Sequence, residues 1–347
     1  MGEFCLLRGE GAVGPDFGAL DAPAGKRFKG RGVIFEKICQ LAAFPDELAG
    51  GVCNKGEKSL HLRGNQQSFF CTMTLLAKSI RRIEIPSLWS GHKHIVWELR
   101  PDVNVLSGHN GAGKSTILNK LIHHLRTMPT TGELSTAEGM GVKVEYDPAE
   151  ATGIRYDVLR SFDRKIIAAH PVGDLSDTRV VTELDWQLYL VQRRYLDYQV
   201  NVGNRMIALL TSGAPEARDR AAEAAAQKTR FLDLVDELFE ETGKRIDRQS
   251  NELRFVQYGE KLSPYLLSSG EKQMLLVLLT VLTEDQQPYA LFMDEPEASL
   301  HFEWQKRLIT MVRELNPNAQ VLLTTHSPAL IMDGWEDAVT EVSDITV

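Results

Sequence analysis

The sequence predicts an α/β fold in which buried strands carry polar residues to one edge of a sheet. Three apolar stretches support this prediction, because each is followed by residues that bind phosphate, hold metal ions or transfer protons. They are Val103–Leu106 before a glycine-rich loop, Leu291–Met293 before Asp294 and Glu295, and Val321–Leu323 a few residues before His326. Short apolar runs rich in β-branched residues suit buried strands. Because ligands of such sheets bind outside the carboxyl ends of the strands, we expect these polar residues to lie together.

The glycine-rich loop runs from Gly108 to Thr116 and reads Gly-His-Asn-Gly-Ala-Gly-Lys-Ser-Thr. It fits the phosphate-loop pattern of Gly, four residues and Gly-Lys-Ser/Thr, and apolar residues at helical spacing follow it. A turn from a strand into a helix leaves unpaired N–H groups at the positive end of the helix dipole, which favours a triphosphate. A chance glycine-rich turn is the alternative, and the flanking strand and helix disfavour it.

We therefore expect ATP at this loop. Lys114 would neutralise charge on the β- and γ-phosphates, and Ser115 would supply one oxygen to Mg²⁺. The predicted nucleotide-binding residues of the loop are Gly108, Asn110, Gly111, Ala112, Gly113, Lys114, Ser115 and Thr116.

Length, charge and hydropathy restrict the remaining possibilities. The 347 residues allow about two domains, or one large domain with insertions. We expect a cytoplasmic protein without membrane insertion, because no apolar run approaches the roughly 20 residues that span a bilayer and no signal-peptide pattern opens the chain. The net charge of −8 argues against a uniformly basic nucleic-acid coat, although a local basic patch stays open.

Residues 1–72 differ from the rest of the chain. They are rich in glycine, contain all four cysteines and show little helical or strand periodicity. We predict a low-order extension with Met73 as an alternative start, and a genuine accessory segment is the other interpretation. Regular alternation follows in Ile80–Ile85 and His94–Leu99, which predict an antiparallel pair with a turn at Ser90-Gly91.

Residues 131–249 are predicted to form an inserted subdomain of strands and helices between two parts of the core, residues 73–130 and 250–347. Two strand candidates, Val142–Tyr146 and Ile154–Val158, come first. A helical hairpin follows, because Thr182 to Leu210 and the segment after Pro215 both show helical spacing, the second ending near Gly243.

Basic residues along the hairpin could form a nucleic-acid surface, but the acids interleaved with them favour a solvated face. These basic residues are Arg193, Arg194, Arg205, Arg218, Arg220, Lys228 and Arg230.

Candidate catalytic residues follow the two other buried strands, Leu291–Met293 and Val321–Leu323. Asp294 closes its apolar strand and is expected to hold the Mg²⁺ shell. Glu295 is expected to accept a proton from the attacking water. His326 would hydrogen-bond the γ-phosphate or that water, and a purely structural histidine is the alternative.

A second anion site is predicted at Leu267–Gln273, directly before the apolar helix Met274–Leu282. Ser268, Ser269, Gly270 and Glu271 would present backbone amides at the start of that helix. A phosphate loop that binds its nucleotide within one chain does not require this second anion site.

In this order the motifs resemble those of the ATP-binding-cassette (ABC) class of ATPases. Within that class they resemble the soluble branch related to structural-maintenance-of-chromosomes (SMC) and recombination-repair ATPases. The likeness is strongest to the ATPase part of overcoming-lysogenization-defect (OLD) proteins and their phage-defence relatives. Leu267–Gln273 resembles the signature motif, and Asp294–His301 resembles the extended Walker B and D-loop of that branch. The resemblance covers residues 73–130 and 250–347.

The sequence also departs from the family. Phe302 stands where proline is frequent, and no Q-loop glutamine can be placed, since Asp163 and His170 are poor substitutes. OLD proteins continue into a Toprim nuclease, whereas this sequence stops soon after His326, so any nuclease is expected on a separate chain. Trp89 and His92 are candidates for the adenine contact because they precede the first core strand.

The resemblance implies a P-loop NTPase fold of the ABC/SMC-like type, with a mixed sheet core, an antiparallel β lobe and an inserted helical hairpin. It also implies a homodimer that forms head to tail on ATP binding. Ser269 and Gly270 would then contact the γ-phosphate of the other copy, and Glu297–Leu300 would cross the interface.

The function implied is Mg²⁺-dependent ATP hydrolysis in a sensor or switch for DNA repair or anti-phage defence. DNA and a separately encoded nuclease or other effector are the candidate partners. The alternatives are the ATP-binding cassette subunit of a membrane transporter and a non-hydrolysing ATP-binding scaffold. Transporter cassettes typically carry Leu-Ser-Gly-Gly-Gln and Ser-Ala-Leu-Asp at the corresponding places, and this sequence has neither.

Overall fold

The computed structural model describes residues 75–126, 141–161 and 180–347 with their side chains. It also describes the backbone of Thr127 and of four strands in the first 74 residues. The chain divides into two compact units, one of Met1–Leu75 with Pro129–Thr136 and one of Leu76–Met128 with Ala137–Val347.

The first unit contains a four-stranded antiparallel sheet in the order β1-β4-β3-β2. Its strands are β1 (Phe4–Gly9), β2 (Cys53–Asn54), β3 (Glu57–His61) and β4 (Ser68–Thr74). Most of residues 1–72 lie outside the described residues. The low-order extension and the alternative start at Met73 therefore stay predictions.

The second unit combines eleven further strands with five α-helices within the described residues. The strands are β5 (Ser79–Leu88), β6 (Lys93–Glu98), β7 (Val103–Ser107), β8 (Lys143–Asp147), β9 (Tyr156–Arg160), β10 (Lys244–Ile246), β11 (Phe255–Gln257), β12 (Glu260–Leu262), β13 (Tyr289–Asp294), β14 (Ala319–Thr324) and β15 (Val339–Glu341). The helices are α1 (Lys114–Thr127), α2 (Glu183–Thr211), α3 (Ala217–Leu238), α4 (Ser269–Thr283) and α5 (Phe302–Leu315).

A five-stranded sheet in the order β15-β7-β14-β13-β9 forms the centre of this unit. Every neighbouring pair in it runs parallel. The carboxyl ends of β7, β9, β13 and β14 therefore open at one edge, which is where such sheets bind ligands.

Both faces of the central sheet are covered, as near-continuous apolar strands require. Leu291 and Met293 of β13 pack into a cluster with residues of α2, α3, α4 and α5. Ala290 and Phe292 point the other way, into a cluster with residues of α1 and the first strands of the unit. The alternation follows from the two-residue period of a strand.

The antiparallel lobe pairs β5 with β6 on one side and with β8 on the other. Gln320 joins this lobe to the central sheet, although its side chain is fully buried. Its Oε1 accepts a hydrogen bond from the Ile80 amide at 2.7 Å. Its Nε2 donates to the carbonyls of Ile80 at 2.8 Å and Arg100 at 2.7 Å. One side chain of β14 thus satisfies three backbone groups of the lobe and its connection.

The helical hairpin consists of α2 and α3. Thr182 caps α2, because its hydroxyl accepts from the Asp185 amide while the Asp185 carboxylate accepts from the Thr182 amide. Gly243 ends the region in the left-handed conformation, after the short 3₁₀ turn that follows α3. Asp185 also forms a buried ion pair with Lys272 at 2.8 Å, which fixes the hairpin to α4.

The predicted architecture of parallel and antiparallel strands with a helical hairpin is confirmed. Two strands assigned to the insertion, however, belong to the core sheets: β8 pairs with β5, and β9 pairs with β13. We therefore propose that the inserted part is smaller than residues 131–249 and centres on the hairpin. Within the described residues, no helix is both long and apolar enough to span a bilayer.

The start of α4 carries a second capping box. The Ser268 hydroxyl accepts from the Glu271 amide, and Glu271 Oε2 accepts from the Ser268 amide at 2.9 Å. Glu271 Oε1 also accepts from Lys244 Nζ at 2.8 Å and from the Thr242 hydroxyl at 3.0 Å. Burial alone would raise the pKa of Glu271, but the hydrogen bonds from Lys244, Ser268 and Thr242 outweigh it and lower the pKa.

The first prediction concerns the three hydrogen bonds of the Gln320 side chain, here called the Gln320 clamp. Gln320→Leu should remove the side-chain partner of the Ile80 N–H and carbonyl, whereas the Arg100 carbonyl keeps its bond from Asn104 Nδ2 at 2.9 Å. The expected loss is on the order of 2 kcal/mol in the free energy of unfolding. Urea unfolding of the full chain measures this loss, with Gln287→Leu as an exposed control. A Gln320→Leu protein as stable as the control would contradict the clamp.

The second prediction concerns the pH dependence of the cap on α4. Glu271→Gln should destabilise the fold by on the order of 2 kcal/mol at neutral pH, because Lys244 loses a buried charged partner. A lowered folded-state pKa means that the carboxylate stabilises fully above the ordinary glutamate pKa and loses this effect as the pH falls through the lowered value.

The stability difference between the wild type and Glu271→Gln should therefore stay constant near neutral pH and shrink on acidification. Unfolding free energies measured along a pH series test this, with Glu240→Gln as an exposed control. A difference that widens towards acid pH would show that the sign is wrong.

Candidate nucleotide-binding site

The phosphate-loop sequence forms the turn between β7 and α1. Gly108, Gly111 and Gly113 all adopt positive φ, with values of 149°, 81° and 104°. Among the other predicted loop residues, Asn110 and Thr116 are exposed and Ala112 is buried. The first N–H groups of α1 have no partner within the helix, so the loop can present them to an anion.

Lys114 is folded back over its own loop. Its side chain is 4% exposed, and Nζ donates to the carbonyl of Gly108 at 2.9 Å. Nζ also lies 2.8 Å from Nε2 of His326, at the end of β14. Because an ammonium group only donates hydrogen bonds, Nε2 accepts in this contact. The strand end and the loop are thus joined through the phosphate-binding lysine.

Ser115 and Asp294 meet where the predictions place the metal ion. The Ser115 hydroxyl donates to Asp294 Oδ1 at 2.9 Å, and the Thr324 hydroxyl donates to the same oxygen at 2.5 Å. A hydroxyl and a carboxylate are hard oxygen donors of the kind that Mg²⁺ prefers. The residues present therefore fit a Mg²⁺ ion held between the start of α1 and the end of β13.

Glu295 adopts a left-handed backbone conformation, with φ of 47°. Such a conformation costs a non-glycine residue about 1–3 kcal/mol. The Glu295 amide donates hydrogen bonds to the Thr324 carbonyl at 3.1 Å and to the Thr324 hydroxyl at 3.2 Å. Glu295 Oε1 lies 3.4 Å from His326 Nε2. The strained turn therefore brings both predicted catalytic side chains to the edge where Lys114 lies.

Ser161 is a residue of this site that the sequence motifs did not reveal. It follows β9, is 3% exposed, and its hydroxyl donates to the Asp294 carbonyl at 3.0 Å. Gln273 of α4 in turn donates to the Ser161 hydroxyl at 3.0 Å. Ser161 thus connects the helix of the predicted signature to the end of β13. The sequence offers only a weak signal, a serine three residues after the strand candidate Ile154–Val158, and it does not show that this strand pairs with β13.

The predicted signature lies at the beginning of α4, packed against the segment that follows Glu295. A Cβ atom on Gly270 would stand 2.5 Å from the Ser299 carbonyl oxygen, so only glycine permits this approach. Ser268 caps the helix, and the Glu271 carboxylate is engaged by Lys244 and Thr242 of the same chain. Any contact of Glu271 with a nucleotide would therefore involve its backbone.

Trp89 contacts the phosphate loop directly. A Cβ atom on Gly113 would stand 2.7 Å from the indole ring, which therefore covers this glycine closely. Trp89 itself has positive φ and is 42% exposed. The tryptophan proposed for the adenine contact is thus beside the loop, whereas Asp163 and His170, considered for the Q-loop, lie outside the described residues.

Most basic residues of the helical hairpin have partners within the chain. Arg194 pairs with Asp157 and Glu284, Arg205 with Asp285, and Arg230 with Glu314. Lys228 donates to Gln199, and Arg193 donates to the Tyr189 hydroxyl. These contacts agree better with a solvated, ion-paired face than with a surface that is free to bind phosphates.

A family model described as "AAA domain, putative AbiEii toxin, Type IV TA system" matches residues 175–333. This match includes the hairpin, the predicted signature, β13 with Asp294, and β14 with the loop of His326 that follows it. No curated protein matches the sequence significantly.

A comparison with solved structures finds partial similarity at low sequence identity. An SMC head bound to the C-terminal winged-helix domain of ScpA is 14% identical, with 74% of this chain and 91% of that chain covered and a TM-score of 0.40. The SMC head domain from Thermotoga maritima is 15% identical, with 76% and 94% covered and a TM-score of 0.37. A nucleotide-free ATP-binding cassette from an ABC transporter is 15% identical, with 73% and 83% covered and a TM-score of 0.33.

The loop geometry, the parallel core with its antiparallel lobe, and the family match agree with one another. The fold is an α/β fold with a phosphate loop between β7 and α1, as in P-loop NTPases.

Proposed function

We propose that the protein binds ATP with Mg²⁺ and hydrolyses it to ADP and phosphate. The observation that carries this proposal is the convergence of Lys114, Ser115, Asp294, Glu295 and His326 at one sheet edge. These side chains come from three separate parts of the chain, and each has the chemistry that one step of phosphoryl transfer to water requires.

The roles follow from the contacts. Ser115 and Asp294 would hold Mg²⁺, which supplies charge neutralisation for the phosphates. Lys114 would exchange its bonds to Gly108 and His326 for bonds to the phosphates. Glu295 would take a proton from the attacking water, and His326 would orient the γ-phosphate or that water.

We further propose that two copies associate head to tail when ATP binds. The start of α4 supports this, since its amides would form a second anion site apart from the phosphate loop. Two large apolar side chains are exposed nearby in the chain: Leu266, just before α4, is 67% exposed, and Phe302, at the start of α5, is 50% exposed. Ser269 and Gly270 would contact the γ-phosphate of the other copy, and the segment from Glu297 to Leu300 would cross the interface.

The biological role that we propose is a switch in anti-phage defence or DNA repair, resembling OLD proteins and acting on a separately encoded effector. The description of the matching family, which names a toxin–antitoxin system, supports a defence role. DNA is the proposed activating ligand, and ATPase rates with and without DNA test it. An increased rate would support this role, whereas a rate that responds only to a membrane partner would favour a transporter subunit.

Glu295→Gln provides the test of the catalytic assignment. Loss of the general base should lower the rate of phosphate release by about 10²–10⁴-fold, while ATP binding is retained. Sedimentation in the presence of ATP should show the variant accumulating as a dimer. Glu303→Gln, an exposed glutamate on α5, is the matched control. Normal turnover by Glu295→Gln would remove Glu295 as the base.

A further inference from the structure

We propose that Glu297 is a positioning residue that ties the loop of His326 to the segment Pro296–Ser299. The proposal rests on the ATPase function proposed above and adds a route by which the signature surface controls the phosphate site. Glu297 is not itself placed against the phosphate loop. It acts through the backbone that carries His326.

The contacts of Glu297 are concentrated on one oxygen. Its Oε1 accepts from the Thr325 hydroxyl at 2.6 Å, the His326 amide at 2.8 Å and the Ser327 amide at 3.3 Å. Hydrogen bonds to a carboxylate are about twice as strong as neutral ones. Three such bonds to consecutive residues fix the backbone of the His326 loop, and with it the direction of the imidazole.

Gln305 of α5 forms a second tie between the same two segments. Its Nε2 donates to the Leu300 carbonyl at 2.9 Å and lies 3.4 Å from the Glu297 carbonyl. Its Oε1 accepts from the Ser327 hydroxyl at 2.6 Å. The two segments are thus joined at both ends and should move together.

The segment Pro296–Ser299 and the loop of His326 together connect the predicted signature with the phosphate site. On one side the Ser299 carbonyl packs against Gly270 of the predicted signature. On the other side His326 contacts Lys114 and Glu295. A displacement of the signature surface by a second copy would therefore reach Lys114 through Ser299, Glu297 and His326, without passing through the nucleotide.

The second carboxylate oxygen of Glu297 determines what a glutamine would meet at this position. Oε2 is buried and has no hydrogen-bond partner within the described residues. In Glu297→Gln, an amide NH₂ must either face the three donors at the Oε1 position or lie at this unpartnered position. The first arrangement breaks the three bonds, and the second weakens them because the accepting oxygen loses the carboxylate charge.

The kinetic test uses a double-mutant cycle with His326→Ala. Glu297→Gln should lower kcat by about 10-fold or more with little change in KM, because the contact matters for turnover rather than for ATP binding. In the His326→Ala background, the same change should lower kcat by less than about 2-fold, since Glu297 acts through His326. Glu303→Gln, which is exposed and pairs with Lys306, is the control.

Equal effects of Glu297→Gln in the two backgrounds would overturn the proposal, and so would an effect on KM alone. Thr325→Val is the second variant if Glu297→Gln does not fold, because it removes one of the three bonds and keeps the charge. It should show a smaller fall in kcat with the same dependence on His326, and equal effects in both backgrounds would again overturn the proposal.

A readout without turnover separates this proposal from the ATPase function. The ¹⁵N chemical shifts of the His326 imidazole, assigned by their loss in His326→Ala, report its contact with Lys114 in the nucleotide-free protein. They should move in Glu297→Gln and stay in place in Glu303→Gln. Unchanged shifts in Glu297→Gln would refute the positioning role, whereas an inactive wild type with shifted His326 signals would contradict only the ATPase proposal.

Discussion

One carboxylate, that of Asp294, joins the parts of the chain that form the candidate site. Its Oδ1 accepts from Ser115 at the start of α1 and from Thr324 at the end of β14. The carbonyl of the same residue accepts from Ser161 at the end of β9. Parallel pairing brings these strand ends to a common edge, and Asp294 connects them there. His326 contacts both Lys114 and Glu295 at this same edge of the sheet.

The sequence predicts well those features that short patterns encode. The phosphate loop, the three buried strands, the antiparallel pair and the helical hairpin each have a local signature of periodicity, capping or glycine spacing. The position of β9 does not, because its place beside β13 depends on pairing between residues more than 120 positions apart. For the same reason Ser161 and the Gln320 clamp are visible only in the folded chain. The positive φ of Glu295 likewise occurs in a turn whose amide is hydrogen-bonded to Thr324. A glutamate in the sequence does not indicate a positive φ.

Contacts within one chain connect two motifs that are distant in sequence, the start of α4 and the loop of His326. Two ion pairs fix the start of α4. Glu271 pairs with Lys244, and Lys272 pairs with Asp185 of the hairpin. Gly270 then allows the Ser299 carbonyl to approach closely, and Glu297 continues the connection to the loop of His326. These contacts form a continuous path of hydrogen bonds and packing from the start of α4 to the loop of His326.

The central claim is that the loop from Gly108 to Thr116 binds ATP with Mg²⁺, and calorimetric titration of the full chain tests it most directly. The account predicts that each chain binds one ATP in a Mg²⁺-dependent manner. It also predicts that Lys114→Met weakens binding by at least about 10-fold, because the phosphates lose a charged hydrogen-bond donor. Lys306→Met, a half-buried lysine on α5 that pairs with Glu303, should bind as the wild type does. Equal affinities of Lys114→Met and the wild type, or binding that is unaffected by Mg²⁺, would contradict the account.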